Sequence, residues 1–358
     1  MKDDNLNIIA NKFTIEGLID TIEPFGNGHI NNTFLVTTSN KRYILQRISD
    51  AFDVTLLMKN IDAVTSFMAL KSDNPDRQMK LIHTSDNKNY YSDESGNYRM
   101  YTFVEGSICL EAPESTNDFY ESALAFGNFQ KMLEDFPAET LFEPIKDFHN
   151  TPNRYKIFKE TILKDKMDRV KEVKEEIDFA LSREKEAGIL QNLRDTGKLP
   201  TRVTHNDTKL NNVLFDKDTR KSLCVIDLDT VMPGLSLYDF GDAIRFGAAT
   251  AKEDEKDLSK MTVNLDMFRA FTRGYLQSCN LTDEEIENIV LGSKTMTLEC
   301  GVRFLTDYLD GDNYFRTSYA GQNLDRCRTQ FKLVGEIEKN TEKMKEIVKE
   351  ELSKIKNK

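Results

Sequence analysis

The stretch richest in chemistry is His205-Asn206-Asp207-Thr208-Lys209-Leu210-Asn211-Asn212, followed by VLFDKDTRKSLCVIDLDT. It holds the spacing His-x-Asp-x-x-x-x-Asn, and Asp227 comes fifteen residues after Asn212, inside Val225-Ile226-Asp227-Leu228-Asp229. Between them, Val213-Leu214-Phe215, a DKDTRK turn and Leu223-Cys224-Val225-Ile226 read as a hairpin. A hairpin returns the chain to its start, so Asp207, Asn212 and Asp227 converge at one end of it. Phosphoryl transfer from a nucleotide needs such a set. One carboxylate accepts the proton of the acceptor hydroxyl, while an amide oxygen and a second carboxylate hold Mg2+ on the phosphates. Oxygen-only ligands suit Mg2+; a zinc site would want His and Cys at close spacing, which this stretch lacks. Singly, each Asp reads as an ordinary turn or cap residue. The ordered set, with an apolar strand directly before Asp227, outweighs that bland reading.

These residues need elements to position them. Residues 5–20 show helical spacing, and Asp53 to Leu70 reads as a helix. Asn31 to Thr38, Lys41 to Ile48, Lys80 to Leu81 with His83, and Tyr98 to Val104 are β-rich runs separated by turn residues. Together they predict a small α+β lobe over residues 1–105. Beyond Glu105-Gly106 the texture turns helical. Phe119, Ala123, Phe126, Phe129 and Leu133 recur at spacings of three and four behind a Ser115/Thr116/Asn117 cap. Residues 154–194 read as a long charged helical region with a solvated face, and 203–229 as short strands and turns. Residues 282–310 and 322–358 read as helices, the last charged enough to fray at its end. The expected architecture is a β-rich lobe of residues 1–105 and a mainly helical lobe of 106–358, with a ligand cleft between them.

Composition bounds the rest. With 358 residues, 39% hydrophobic, including 22 Phe and 12 Tyr, the chain can build the cores of two lobes. Its 49 Lys+Arg against 60 Asp+Glu leave a net charge of −11, which argues against nucleic acid or an anionic membrane as partner. Five Cys without a CxxC pair read as buried thiols in a reducing compartment. No apolar leader and no membrane-length apolar run occurs, so the expected location is cytoplasmic.

The wording THNDTKLNNVLF…VIDLDTVMPGLSLYDFGDAIR resembles the aminoglycoside phosphotransferase and choline kinase superfamily. Within it the chain looks most like the N-acetylhexosamine 1-kinase branch, which phosphorylates the anomeric hydroxyl of GlcNAc and GalNAc. Further similar stretches are Phe25 to Phe34 (FGNGHINNTF), Tyr43 to Ile48 (YILQRI), Phe103 to Gly106 (FVEG), Asp147 to Pro152 (DFHNTP) and Arg303 to Tyr308 (RFLTDY). The likeness spans about residues 20 to 330. It implies a two-lobed protein-kinase-like fold, ATP as phosphoryl donor and a small-molecule sugar as acceptor. Asp207 would be the catalytic base, with Asn212 and Asp227 as Mg2+ ligands and His205 as a brace for the loop. Gly26 and Gly28 would let a turn approach the phosphates, and the backbone of Tyr101 to Glu105, through Phe103, would read adenine.

The chain departs from the kinase pattern at its third strand, where YILQRI carries no Lys. Alternation puts Gln46 and Arg47 on opposite faces, and Arg47 is taken as the phosphate partner. A matching helix Glu is also missing, Asp62 being the only acid between Asp53 and Leu70. Downstream, the resemblance implies that Asp239 and Asp242 fasten the catalytic loop, whereas Asp229 suits sugar hydroxyls. Arg303 and Asp307 share a helix face and read as a surface ion pair; the resemblance to the sugar-kinase branch instead implies that Arg303 and Tyr314, with His29, contact the hexosamine. Two other functions remain open. One is a kinase for choline, an amino alcohol or an aminoglycoside; the other is a nucleotide-binding pseudokinase without turnover.

Overall fold

The computed structural model describes residues 3–26, 31–72 and 77–357. Its first half is organised by one antiparallel sheet of six strands: β1 Ile19–Pro24, β2 Asn32–Thr38, β3 Arg42–Ile48, β4 Leu81–Ile82, β5 Tyr91–Asp93 and β6 Gly96–Thr102. The order is β1-β2-β3-β6-β4, with β5 also pairing with β6. Helix α1, Asp3–Ala10, covers one face and α2, Val54–Lys71, the other. Alternation along the strands makes this possible. Tyr43, Leu45, Tyr98 and Met100 pack with Leu6 and Ile9 of α1. Ile44, Ile48 and Tyr101 point the opposite way, into the core shared with Leu57, Met58 and Ile61 of α2. Asp53 caps α2 by accepting from the Thr55 and Leu56 amides at 3.0 and 3.2 Å. The helix expected over residues 5–20 stops at Ala10, and β1 begins at Ile19. Ile15, Ile19 and Ile22 sit at helix-like spacing but pack against the sheet core, so tertiary burial overrides the local pattern.

The second part is mainly helical: α3 Thr116–Met132, α4 Thr151–Lys164, α5 Lys174–Leu181, α6 Glu184–Ala187, α7 Ile189–Asp195, α8 Ser236–Gly247, α9 Leu265–Ser278, α10 Asp283–Glu287, α11 Ile289–Asp310 and α12 Gln322–Lys356. Short strands bring the chemistry-bearing loops together. β7 Ser107–Cys109, β9 Val213–Asp216 and β10 Ser222–Val225 form one antiparallel sheet; β8 Arg202–Thr204 pairs with β11 Met232–Gly234. A capping box at Ser115 and Asp118 starts α3, as its sequence suggests. The charged region 154–194 is four helices, not one, interrupted where Asp165 and Asp168 adopt positive φ of 37° and 54°. The charged end of α12 stays helical through Lys356 because Ile347 and Val348 are buried in the core and Glu351 binds Arg269. Of the five Cys, Cys109 is exposed and Cys300 half-buried, so only three fit the expected buried class. Among the described residues no helix is long and apolar enough to cross a membrane.

Candidate active site

β8 delivers the chain into the loop 205–212, and β10, in a separate sheet, delivers it into 226–230. Asn206 and Asp227 both adopt left-handed backbone, with φ of 63° and 60°. Asn and Asp tolerate this conformation better than other non-glycine residues. His205 ties the loops together. Its ring is fully buried against Phe126 and Phe129, Nδ1 accepts the Asp207 amide at 3.3 Å, and Nε2 lies 2.8 Å from the Ile226 carbonyl. That pairing requires the neutral ring with its proton on Nε2. The Ile226 amide donates to Asn212 O at 2.9 Å, and Thr230 Oγ1 donates to His205 O at 2.7 Å. The start of α8 fixes the loop from below. Asp239 accepts the His205 and Asn206 amides at 3.0 and 2.8 Å and the Gln130 amide at 2.7 Å. Asp242 accepts the Thr208 amide at 3.0 Å and is itself held by Arg245.

On this frame Asp207 is half-buried. Asn212 Nδ2 donates to the Asp207 carbonyl at 2.8 Å and to its carboxylate at 2.9 Å. Lys209, which the sequence reading passed over, places Nζ 2.9 Å from the other carboxylate oxygen. Burial works against the Lys209 ammonium, yet the charge and hydrogen bond of Asp207 leave it above the ordinary lysine range. Asp227 is exposed and makes no ion pair among the described residues. Solvent reaches it, but the enclosing protein, followed by the charges of Asp229 and Asp207, pushes its carboxyl above the usual aspartate range. The donor chemistry fits Mg2+. With Asn212 Nδ2 spent on Asp207, its Oδ1 is left to accept, and Asp227 supplies an uncompensated carboxylate.

Across the cleft, the predicted nucleotide contacts fall out differently. Gly26 lies in the turn after β1 at φ 74°; Gly28 and His29 lie outside the described residues. Arg47 requires correction. It shares its face with Tyr43 and Leu45, away from the cleft, and is spent on the Ser95 carbonyl at 2.8 Å and Asp50 at 3.0 Å. Gln46 and Arg99 occupy the cleft face. Asp229 is also corrected. It is buried, with one oxygen paired to Arg99 and the other accepting Asn31 Nδ2 at 2.7 Å, so neither is left for a sugar. Tyr101 lies inside β6, paired to Ile44 and Leu81, so the strand connection begins only at Phe103. There Phe25 meets Phe103 edge-on at 5.8 Å, and the Arg42 guanidinium stacks 4.1 Å above the Phe103 ring while pairing with exposed Glu105.

Arg303 and Tyr314 do approach one another, Nη2 to Oη at 3.5 Å, with Phe148 5.0 Å from the guanidinium. Tyr314 is 63% exposed. Asp307 is no surface partner of Arg303. It is buried and accepts the amides of Asn313, Tyr314 and Phe315 at 2.8–2.9 Å, which sets the Tyr314 turn. Phe148 also lines a polar cleft of about 260 Å³ together with Asn206, Glu143, Asp147 and Asp195. Sequence spacing alone could have exposed Lys209, two residues after Asp207; Arg99 needed the sheet register.

Comparison with known proteins agrees with this geometry. The structure resembles a microcompartment-associated aminopropanol kinase at 12% identity and TM-score 0.58, covering 96% of this chain and 98% of that one. A spectinomycin phosphotransferase solved with ADP and spectinomycin matches at 13% identity and TM-score 0.58, covering 96% and 99%. A choline kinase from Streptococcus pneumoniae matches at 14% identity and TM-score 0.52, covering 88% and 94%. These likenesses place the chain in the two-lobed, protein-kinase-like α+β fold. Its sequence from residue 21 to 261 also matches the model of a family that spans both lobes and the catalytic loop, and the chain therefore belongs to the phosphotransferase enzyme family.

Proposed function

We propose that the chain transfers the γ-phosphoryl group of ATP to the anomeric hydroxyl of an N-acetylhexosamine, with residues 1–105 as nucleotide lobe and 106–358 as catalytic and acceptor lobe. The observation that carries the phosphotransfer reading is the Asp207–Asn212–Asp227 cluster at the head of the loops that His205 and Asp239 lock together. Asp207, oriented by Asn212 and Lys209, accepts the proton of the acceptor oxygen. Lys209 adds positive charge where the transferred group becomes most negative. Asn212 and Asp227 would hold Mg2+, which when bound neutralises the triphosphate. The backbone of Phe103 to Glu105 would read adenine. The sugar assignment rests on the branch wording and on the Arg303–Tyr314 pair beside Phe148, a hydrogen-bonding surface that suits a neutral polyol.

A second reading, an amino-alcohol or aminoglycoside acceptor, is favoured by the carboxylates of Glu143, Asp147 and Asp195 around the cleft beside Asn206. ADP release measured over GlcNAc, GalNAc, hexoses, choline, aminopropanol and aminoglycosides separates the two. The expected result is turnover on GlcNAc or GalNAc and none on their 1-O-methyl glycosides, where the anomeric oxygen is blocked. Phosphorylation of a methyl glycoside sinks the 1-kinase reading, and preference for an amine acceptor selects the second.

A further inference from the structure

A row of polar side chains crosses the cleft face of the sheet and ends on the other lobe. Thr33, Gln46 and Arg99 are register partners on β2, β3 and β6. Gln46 Nε2 donates to Thr33 Oγ1 at 3.0 Å, and Arg99 Nε donates to Gln46 Oε1 at 2.9 Å. One Arg99 Nη then pairs with Asp229, in the turn two residues beyond Asp227. The other carboxylate oxygen of Asp229 takes Asn31 Nδ2 at 2.7 Å, and Asn31 Oδ1 accepts the Ser49 amide at 2.9 Å. Asn31 directly precedes β2, so the sheet, the start of β2 and the Asp227 segment meet at one carboxylate.

The pair is buried, its side chains 1% and 7% exposed. Taking two charges out of water is costly, and apolar replacements of similar volume are often as stable or better, so stability alone is a weak reason to keep it. Its location gives a better one. In kinases, a small-lobe cation on the third strand holds the α- and β-phosphates and pairs with an acid on the neighbouring helix. Here the third strand offers Gln46, and the one acid of α2, Asp62, is engaged by His83 at 3.0 Å. Arg42, at the hinge end of the same sheet face, is spent on Glu105. Arg99 keeps a second Nη with no hydrogen bond to any described residue, and its charge is felt at Asp227 as well as at Asp229.

We propose that Arg99 is the small lobe's phosphate-binding cation, displaced from the third strand to β6, and that its counter-ion Asp229 has moved from the helix to the opposite lobe. The proposal rests on the kinase reading above. Its consequence is mechanical. Where helix and strand hold the pair within one lobe, closure of the cleft and assembly of the pair are separate events; here they are one. The free Nη would donate to an α- or β-phosphate oxygen while the other Nη stays on Asp229, and a guanidinium fork serves both at once better than an ammonium.

The test is calorimetric binding of adenosine and of ADP with Mg2+, with no acceptor present. Arg99→Met alone strands a buried Asp229 and so compromises folding; the informative variant is Arg99→Met with Asp229→Asn, which removes both charges. Arg99→Lys keeps the charge and loses the fork. Urea unfolding checks that each variant is folded. The double variant should bind adenosine within about twofold of wild type and ADP more than about tenfold more weakly, with Arg99→Lys between the two. An unchanged ratio of ADP to adenosine affinity in the double variant overturns the assignment, as does an equal loss for both ligands. If wild type itself binds ADP no better than adenosine, the kinase reading falls first, and this inference with it.

Discussion

Asp239→Asn tests whether the catalytic loop is held as the geometry says. The carboxylate takes three donors: Oδ2 accepts the His205 amide and Gln130 Nε2, and Oδ1 accepts the Asn206 amide. An asparagine of the same shape can keep its oxygen where two donors converge. Its NH2 then faces the Asn206 N–H, and two donors oppose one another in a site that is 1% exposed. Leaving that buried amide unpaired costs about 1–3 kcal/mol, and the two surviving bonds lose their charge assistance at roughly 1 kcal/mol each. The total is on the order of 3–5 kcal/mol.

That loss should appear in two places. Urea unfolding should show the variant destabilised by about that amount, with an unchanged slope. Turnover should drop by about 10²-fold even where the variant is fully folded, because His205 and Asn206 carry Asp207 and a displacement of about 1 Å at a reacting group costs that much. The KM for ATP should move little, since the hinge at Phe103 lies in a different part of the fold. A variant with the wild-type unfolding midpoint and wild-type kcat would refute the idea that Asp239 positions the loop.

Two further outcomes follow from the same network. Asp207→Asn should fold normally, since the Asn212 contact can be kept, and should lose roughly 10²–10⁴-fold in kcat; a loss under about tenfold removes Asp207 as the base. Glu285, 1% exposed, binds Arg202 through both oxygens at 2.7 Å and also accepts Ser236 Oγ at 2.6 Å, so it braces β8 just before the catalytic loop. Burial alone would raise its carboxyl, but Arg202 more than reverses that and holds it below the ordinary glutamate range. Glu285→Gln should therefore destabilise by about 3–5 kcal/mol near neutral pH. A depressed folded-state pKa gives stability that is complete above the unfolded value, about 4.3, and is lost as pH falls below it. The gap between wild type and Glu285→Gln should narrow in acid, and a gap independent of pH would show that Glu285 is not ionised in the folded protein.

How much of this could be read from the sequence depends on how far apart the partners are. The hairpin 213–226 is local, so the convergence of Asp207, Asn212 and Asp227 followed from spacing alone. That Asp239 and Asp242 fasten the catalytic loop was implied by the family resemblance, and the amides of His205, Asn206 and Thr208 do fall on them. The failures come from long-range pairing. Nothing near Arg47 says which face it takes; that is set by α1 docking on Tyr43, Leu45 and Met100, residues far apart in sequence. The helices α8 and α9 were not read from the sequence, and Gly241 falls in the middle of α8. In the fold, Gly241 lets α8 press against α11, where a Cβ would strike the Gly292 carbonyl.

Asp227 and Asp229 show the same limit at its sharpest. They are two residues apart, of one type, on one short turn, and sequence reasoning gave the first a metal and the second a sugar. The backbone separates them. At φ 60° Asp227 stays exposed, and the single turn of 3-10 helix that follows, Leu228–Thr230, carries Asp229 inward to Arg99. Of the three carboxylates that share the site, Asp207 is balanced by Lys209 and Asp229 by Arg99, which leaves Asp227 as the one without a cation among the described residues. In the proposed reaction a divalent ion would complete that balance, and a sugar hydroxyl would not. The charge arrangement thus assigns Asp229 to the frame, and it moves the question of acceptor identity away from the turn, to the Arg303–Tyr314 pair beside Phe148 and the polar cleft that Phe148 also lines.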